Sequence, residues 1–129
     1  MWDKYNLNPS IRVLLVEDAP FLRYAFGRLL RLHGFEVHEA TDGRAALEAL
    51  EFFEPQLIVT DMMMPVMDGI ELIERLRSNP KTAALPILAM TADASEQAEC
   101  RAREAGAVDF LPKPVDMPTL LDRLRSMNR

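Results

Sequence analysis

Five polar residues of this sequence stand just past short apolar runs. Glu17 and Asp18 follow Ile11 to Val16, Asp61 follows Gln56 to Thr60, Thr91 follows Pro86 to Met90, and Lys113 comes soon after Ala107 to Leu111. Held together, three carboxylates and one lysine would carry a local formal charge of about −2, which raises carboxyl pKa values unless a cation sits among them. A ligand set of oxygens without histidine or cysteine favours a hard ion. One or two carboxylates with a backbone carbonyl and waters is the usual way to bind Mg2+, with Mn2+ as a substitute. Beside such an ion, Asp61 has the chemistry of a nucleophile toward a phosphoryl group, giving an aspartyl phosphate while a lysine offsets charge on the transferred oxygens. Taken singly, each residue has a blander reading: Asp18 or Thr91 as a helix cap, Asp61 as an exposed loop acid, Lys113 as a solvated charge.

The joint reading depends on the elements that must position them. Ile11 to Val16 is a strand-length run rich in β-branched residues. Pro20, suited to a first helical turn, opens Phe21 to His33, where Phe21, Leu22, Ala25, Phe26, Leu29 and Leu30 recur at helical spacing before Gly34. The alternation repeats as Phe35 to Ala40 with Gly43 to Phe53, Gln56 to Thr60 with Ile70 to Ser78, Pro86 to Met90 with Ser95 to Ala105, and Ala107 to Leu111 with Met117 to Met127. The strands read as continuous apolar runs, not alternating ones, which implies burial on both faces and a parallel sheet between helices. In an open parallel sheet the carboxyl ends of the strands share one edge, where ligands bind. All five polar residues fall on that edge.

Bulk composition narrows the function classes. A chain of 129 residues, 49% hydrophobic and 27% charged, has the profile of one soluble globular domain. Its net charge of −5 argues against gripping nucleic acid or anionic lipid unaided. No apolar run is long enough for a membrane span, and the N-terminus lacks a signal-peptide layout, so a cytoplasmic protein is expected. The single cysteine, Cys100, reads as a surface or half-buried thiol without a role.

Val-Glu-Asp at 16–18, Asp-Met-Met-Met-Pro-Val-Met-Asp-Gly at 61–69, Thr-Ala at 91–92 and Lys-Pro at 113–114 together resemble the receiver domain of bacterial two-component response regulators. The resemblance spans Ile11 to Met127. It implies an α/β, flavodoxin-like (βα)5 fold, a doubly wound parallel sheet in the order 2-1-3-4-5 with helices on both faces; the chemotaxis member of this family is a standard example of that order. Residue by residue, it implies Asp61 as phosphoacceptor, and Asp18, Asp61 and the backbone carbonyl of Met63 as direct metal ligands. Glu17 would hold the metal through water, and Lys113 would pair with the phosphoryl group. Thr91 would supply a mobile hydroxyl, Ala92 a backbone N–H with no side-chain bulk, and Phe110 the aromatic switch position, where many members carry tyrosine. The Lys113–Pro114 bond resembles one that is cis in the family. Met63 and Asp93 match variable places that influence how fast the phosphoryl group is lost.

The implied partners are a histidine kinase or histidine phosphotransfer protein as donor, and a downstream protein that reads the face of helix four, strand five and helix five. Residues 1–10, with Trp2, Tyr5 and Pro9, are expected to be an N-terminal tail, and 11–129 the receiver domain. With nothing after Arg129, a stand-alone regulator that catalyses only its own phosphorylation and dephosphorylation is expected; a receiver excised from a larger regulator or hybrid kinase is the alternative. A Mg2+-dependent phosphatase with an aspartate nucleophile would want a second acid at position 63, where methionine stands. A flavodoxin-like electron carrier would want a Ser/Thr/Gly-rich loop where Glu17-Asp18-Ala19-Pro20 stands. Met64 and Met67 read as packing residues. Asp68-Gly69 and Thr41-Asp42-Gly43 read as turns and caps, and His33 and His38 as structural or solvated.

Overall fold

A computed structural model describes residues 10–128, so all of the expected tail except Ser10 lies outside the described residues. Among the described residues five strands and five helices alternate: β1 (Arg12–Val16), α1 (Pro20–Leu32), β2 (Glu36–Ala40), α2 (Gly43–Ala49), β3 (Leu57–Asp61), α3 (Gly69–Ser78), β4 (Ile87–Thr91), α4 (Glu96–Ala105), β5 (Asp109–Pro112) and α5 (Met117–Met127). All pairings are parallel and the sheet order is β2-β1-β3-β4-β5, as expected.

The two-residue period of a strand explains why the runs are apolar throughout. Leu14 and Val16 of β1, Ile58 of β3 and Ile87 and Ala89 of β4 pack toward Ala46 of α2, Leu72, Ile73 and Leu76 of α3, and Ala102 of α4. Their neighbours Val13, Leu15, Leu57, Val59, Leu88 and Met90 face the other way, onto Phe26 and Leu30 of α1 and Leu120, Leu121 and Leu124 of α5. Every residue of β3 and β4 is buried, so these strands hold their carboxyl ends in fixed positions.

Local chemistry sets the helix ends. Asp42, Asp68, Ser95 and Asp116 each occupy an N-cap and accept from the backbone N–H three residues on, at 2.8 Å for Asp42 and 2.9 Å for Asp68. The cap readings of Asp42 and Asp68 therefore hold. Neither Asp18 nor Thr91 caps a helix, since Ala19 precedes α1 and Ser95 precedes α4. Gly106, at φ 130°, ends α4, and Ala107 N–H turns back to the Ala102 carbonyl at 2.9 Å. That closure uses up the start of the expected fifth strand, which begins at Asp109.

Helix α2 is shorter than its pattern suggested, ending at Ala49 instead of Phe53. The N–H groups of Leu50, Glu51 and Phe52 bond three residues back, to Leu47, Glu48 and Ala49, a tightening that closes the helix. Pro55 reinforces the stop by disfavouring a helical conformation at Glu54.

Candidate functional site

The carboxyl edge gathers the residues that the sequence placed there. Glu17 and Asp18 leave the end of β1, Asp61 is the last residue of β3, Thr91 the last of β4, and Lys113 follows β5 directly. One carboxylate oxygen from each of Glu17, Asp18 and Asp61 lies within 4.8 Å of the others. Glu17 is fully buried and Asp61 is 5% exposed, which is costly for carboxylates unless they are paired. The ammonium of Lys113 is the partner: Nζ donates to Glu17 Oε1 at 2.7 Å and to Asp61 Oδ2 at 3.2 Å. The remaining oxygens are partly met by backbone. Glu17 Oε2 accepts from Ala19 N–H at 3.1 Å, and Asp61 Oδ1 from Met63 N–H at 3.3 Å.

The backbone around Asp61 is shaped for this. A Cβ on Gly69 would come 2.6 Å from the Asp61 carbonyl oxygen and 2.7 Å from Met62 Cα, so only glycine lets the start of α3 pack against the end of β3. Val66 has φ 71° and Met67 N–H bonds the Pro65 carbonyl at 2.7 Å, a tight three-residue turn that returns the chain toward α3. A β-branched residue in that region is strained. Met64 and Met67 are buried beneath the loop, as packing residues should be, whereas Met63 is 64% exposed.

On the other side of the cleft, Thr91 is buried and its hydroxyl accepts from Asp93 N–H at 3.1 Å. Ala92 and Asp93 are exposed. The Thr91 carbonyl accepts from Lys113 N–H at 2.7 Å, and the Lys113–Pro114 bond is cis. Phe110 is buried in the core layer shared with α3 and α4. His33 Nδ1 lies 2.8 Å from the Leu29 carbonyl, and His38 packs against Phe52 and Phe53, so both histidines have structural surroundings. Cys100 is exposed, and the Glu104 carboxylate that accepts its S–H holds the thiol above its usual pKa, the opposite of activation.

Burial pushes the Glu17 carboxyl above its usual 4.5, and the Asp61 charge adds to this, outweighing the hydrogen bonds from Lys113 and Ala19. Burial alone would lower the Lys113 ammonium, but its bond to Glu17 and the charges of Asp61 and Glu17 hold it above 10.5. A raised folded pKa at Glu17 gives stability that is complete below pH 4.5 and is lost as pH rises through the folded value. The Lys113 contribution is intact up to 10.5 and is lost only as pH rises beyond that, through the folded value. In EDTA, the wild type should therefore lose stability relative to Glu17→Gln as pH rises from 4.5 through the raised folded value, read from denaturant unfolding at each pH. A pH-independent difference between the two proteins would contradict this account of Glu17.

The donor set fits a divalent cation: hard oxygen ligands converge, one lysine leaves them with an excess of negative charge, and Asp18 is only half-buried and so accessible from solvent. Arg23, whose guanidinium reaches the backbone of the acidic pair, is the residue that pattern reading passed over. Among the described residues no helix is long and apolar enough to cross a membrane.

Comparison with known proteins agrees with this geometry. Residues 13–125 match the model of the response regulator receiver domain. The response regulator MprA of Mycolicibacterium vanbaalenii is 40% identical over 119 residues, covering 92% of this chain and 51% of that protein. The chain thus spans about half the length of the curated relatives it matches. Among solved structures, the chemotaxis protein CheY4 of Vibrio cholerae superposes with a TM-score of 0.87 at 32% identity, covering 92% of this chain and 98% of that one. The receiver domain of the sensor histidine kinase PA1611 from Pseudomonas aeruginosa, solved with a magnesium ion in its active-site cleft, gives 0.85 at 29% identity, covering 92% and 98%. With motif, topology and site in agreement, this chain belongs to the response regulator receiver domain family, the signal-receiving module of two-component systems.

Proposed function

We propose that Asp61 is the phosphoacceptor of this receiver and that its phosphorylation depends on Mg2+. The observation that carries this reading is the buried Asp61 carboxylate within 4.8 Å of two further acids and 3.2 Å from the Lys113 ammonium. Asp18, Asp61 and the Met63 carbonyl would hold the ion directly and Glu17 through water; the PA1611 receiver, with magnesium in its cleft, supports the choice of metal. When bound, the ion supplies positive charge beside the transferred oxygens. An Asp61 carboxylate oxygen attacks phosphorus and forms the acyl phosphate O–P bond. The P–N bond to the imidazole of a histidine kinase or phosphotransfer protein breaks, and the imidazole leaves with the electron pair and takes up a proton. Lys113 offsets charge on the phosphoryl oxygens, Ala92 offers its N–H, and Thr91 releases Asp93 N–H to donate its hydroxyl to a phosphoryl oxygen. The chain's catalysis is limited to gaining and losing this group.

Phe110 follows Thr91 into the space it leaves, and the α4–β5–α5 face changes for a downstream protein. The net charge of −5 favours a protein target over nucleic acid for this domain, and residues 11–129 act as the receiver unit, in the cytoplasm with their kinase. Beryllofluoride with Mg2+, a mimic of the aspartyl phosphate, tests the switch. Two-dimensional NMR should show shifts at Asp61, Thr91 and Phe110 and along α4, β5 and α5. Shifts confined to the loops around Asp61 would contradict the proposed output face.

A further inference from the structure

Arg23 lies on α1, outside the cluster of acids, yet its Nη1 donates to the Glu17 carbonyl at 2.9 Å and to the Asp18 carbonyl at 3.4 Å. These are the backbone oxygens of the two acids that leave β1, so one planar guanidinium fixes the peptide planes from which both carboxylates project. The guanidinium is itself aimed. Its Nε sits 3.7 Å from Glu39 Oε1 on β2, and Glu39 Oε2 accepts from Arg31 Nη1 at 2.7 Å. Arg31 also donates from Nη2 to the Val37 carbonyl at 2.9 Å, which ties the far end of the chain of charges to the β2 backbone. The Arg23 side chain is 18% exposed and that of Glu39 22%, so the pair is substantially shielded from solvent.

Gly27 completes the arrangement. It stands mid-helix, where glycine is disfavoured, and a Cβ there would meet Glu39 Oε2 at 2.5 Å and Cδ at 2.9 Å. The missing side chain is the room into which the Glu39 carboxylate fits. Resting on the reading of Glu17, Asp18 and Asp61 as a divalent-cation site, we infer that Arg23 is a positioning residue for the acidic pair, oriented by Glu39 and Arg31 and given space by Gly27. Groups that orient metal ligands through their backbone or second ring of contacts change affinity by about 10–100-fold when removed.

The test is the Mg2+ dissociation constant of the unphosphorylated protein by titration calorimetry, together with unfolding in EDTA, which reports any purely structural role. Arg23→Met should weaken Mg2+ binding about tenfold or more. Arg23→Lys should recover part of the loss, because an ammonium can stand in for the single Nη1 that serves both carbonyls but has no Nε to face Glu39. Glu39→Gln, which keeps shape but removes the charge that aims Arg23, should weaken binding by a smaller factor. Arg23→Met within about twofold of the wild type would overturn the inference. If Arg23→Met does not fold, Glu39→Gln decides alone, and an unchanged constant there overturns the inference as well. A wild type that binds no Mg2+ would instead sink the reading of the acidic site itself.

Discussion

Asp61→Asn will abolish phosphoryl transfer and at the same time make the metal-free domain more stable. The amide lacks the nucleophilic oxygen pair, so no acyl phosphate forms at this position. The stability gain follows from the charges around it. Glu17 and Asp18 each bring an oxygen within 4.8 Å, and the Asp61 charge is one of the causes that push the Glu17 carboxyl up. Removing that charge leaves Lys113 bonded to Glu17 at 2.7 Å, with less repulsion inside a shielded site. The amide keeps the volume of the carboxylate and its carbonyl still accepts from Met63 N–H. A gain of about 1 kcal/mol in EDTA is expected from chemical denaturation, a stability withheld from the native site for the sake of function. A less stable Asp61→Asn protein would mean that the Lys113–Asp61 contact outweighs the repulsion.

Lys113→Met will have the largest effect on stability. Glu17 is fully buried, and Lys113 donates both to it and to Asp61 from a side chain only 17% exposed. Methionine preserves most of the aliphatic stem but leaves the carboxylates without a cation, and breaking a buried pair from one side costs about 3 kcal/mol. The loss should depend on metal. Without the ammonium the site carries one more net negative charge, so added Mg2+ binds the variant more tightly than the wild type and restores more stability to it. Unfolding in EDTA and in excess Mg2+ should therefore show a gap that narrows by half or more with the ion. An equal deficit in both conditions would assign the lysine a packing role. Phosphorylation should remain slow even with Mg2+, because the charge that meets the phosphoryl oxygens is gone.

Why some of this could be read from sequence and some not has physical reasons. The runs Val13 to Val16, Leu57 to Val59 and Ile87 to Met90 declare a two-sided parallel sheet, because each face has its own helical layer to fill. A parallel sheet puts its strand ends on one edge, so the gathering of Glu17, Asp18, Asp61, Thr91 and Lys113 followed from position in the chain. The strand order itself came from resemblance, since apolar runs are nearly interchangeable in pattern. Helix α1 shows what periodicity conceals. Phe21 is 82% exposed and Leu29 37%, although both fit the apolar repeat, whereas the buried positions are Phe26, Gly27 and Leu30. Beside the apolar layer that Phe26 and Leu30 share with Val37, the helix meets β2 through charge, and Arg23, Arg31 and Glu39 look like solvated residues in a linear reading. Their pairing needs the contact of α1 with β2, which spacing alone does not encode. The early end of α2 was hidden for a related reason: Phe52 and Phe53 continue its apolar repeat, yet the chain tightens before them.

The most direct test of the central claim is the intact mass of wild type and Asp61→Ala after incubation with acetyl phosphate or phosphoramidate, with and without Mg2+. The wild type should gain a single phosphoryl group only when Mg2+ is present, and Asp61→Ala should gain none. An adduct of equal yield on Asp61→Ala would put the phosphoryl group on another residue, and no adduct on the wild type under any condition would leave this fold as a binding module without receiver chemistry; either result would contradict Asp61 as the phosphoacceptor.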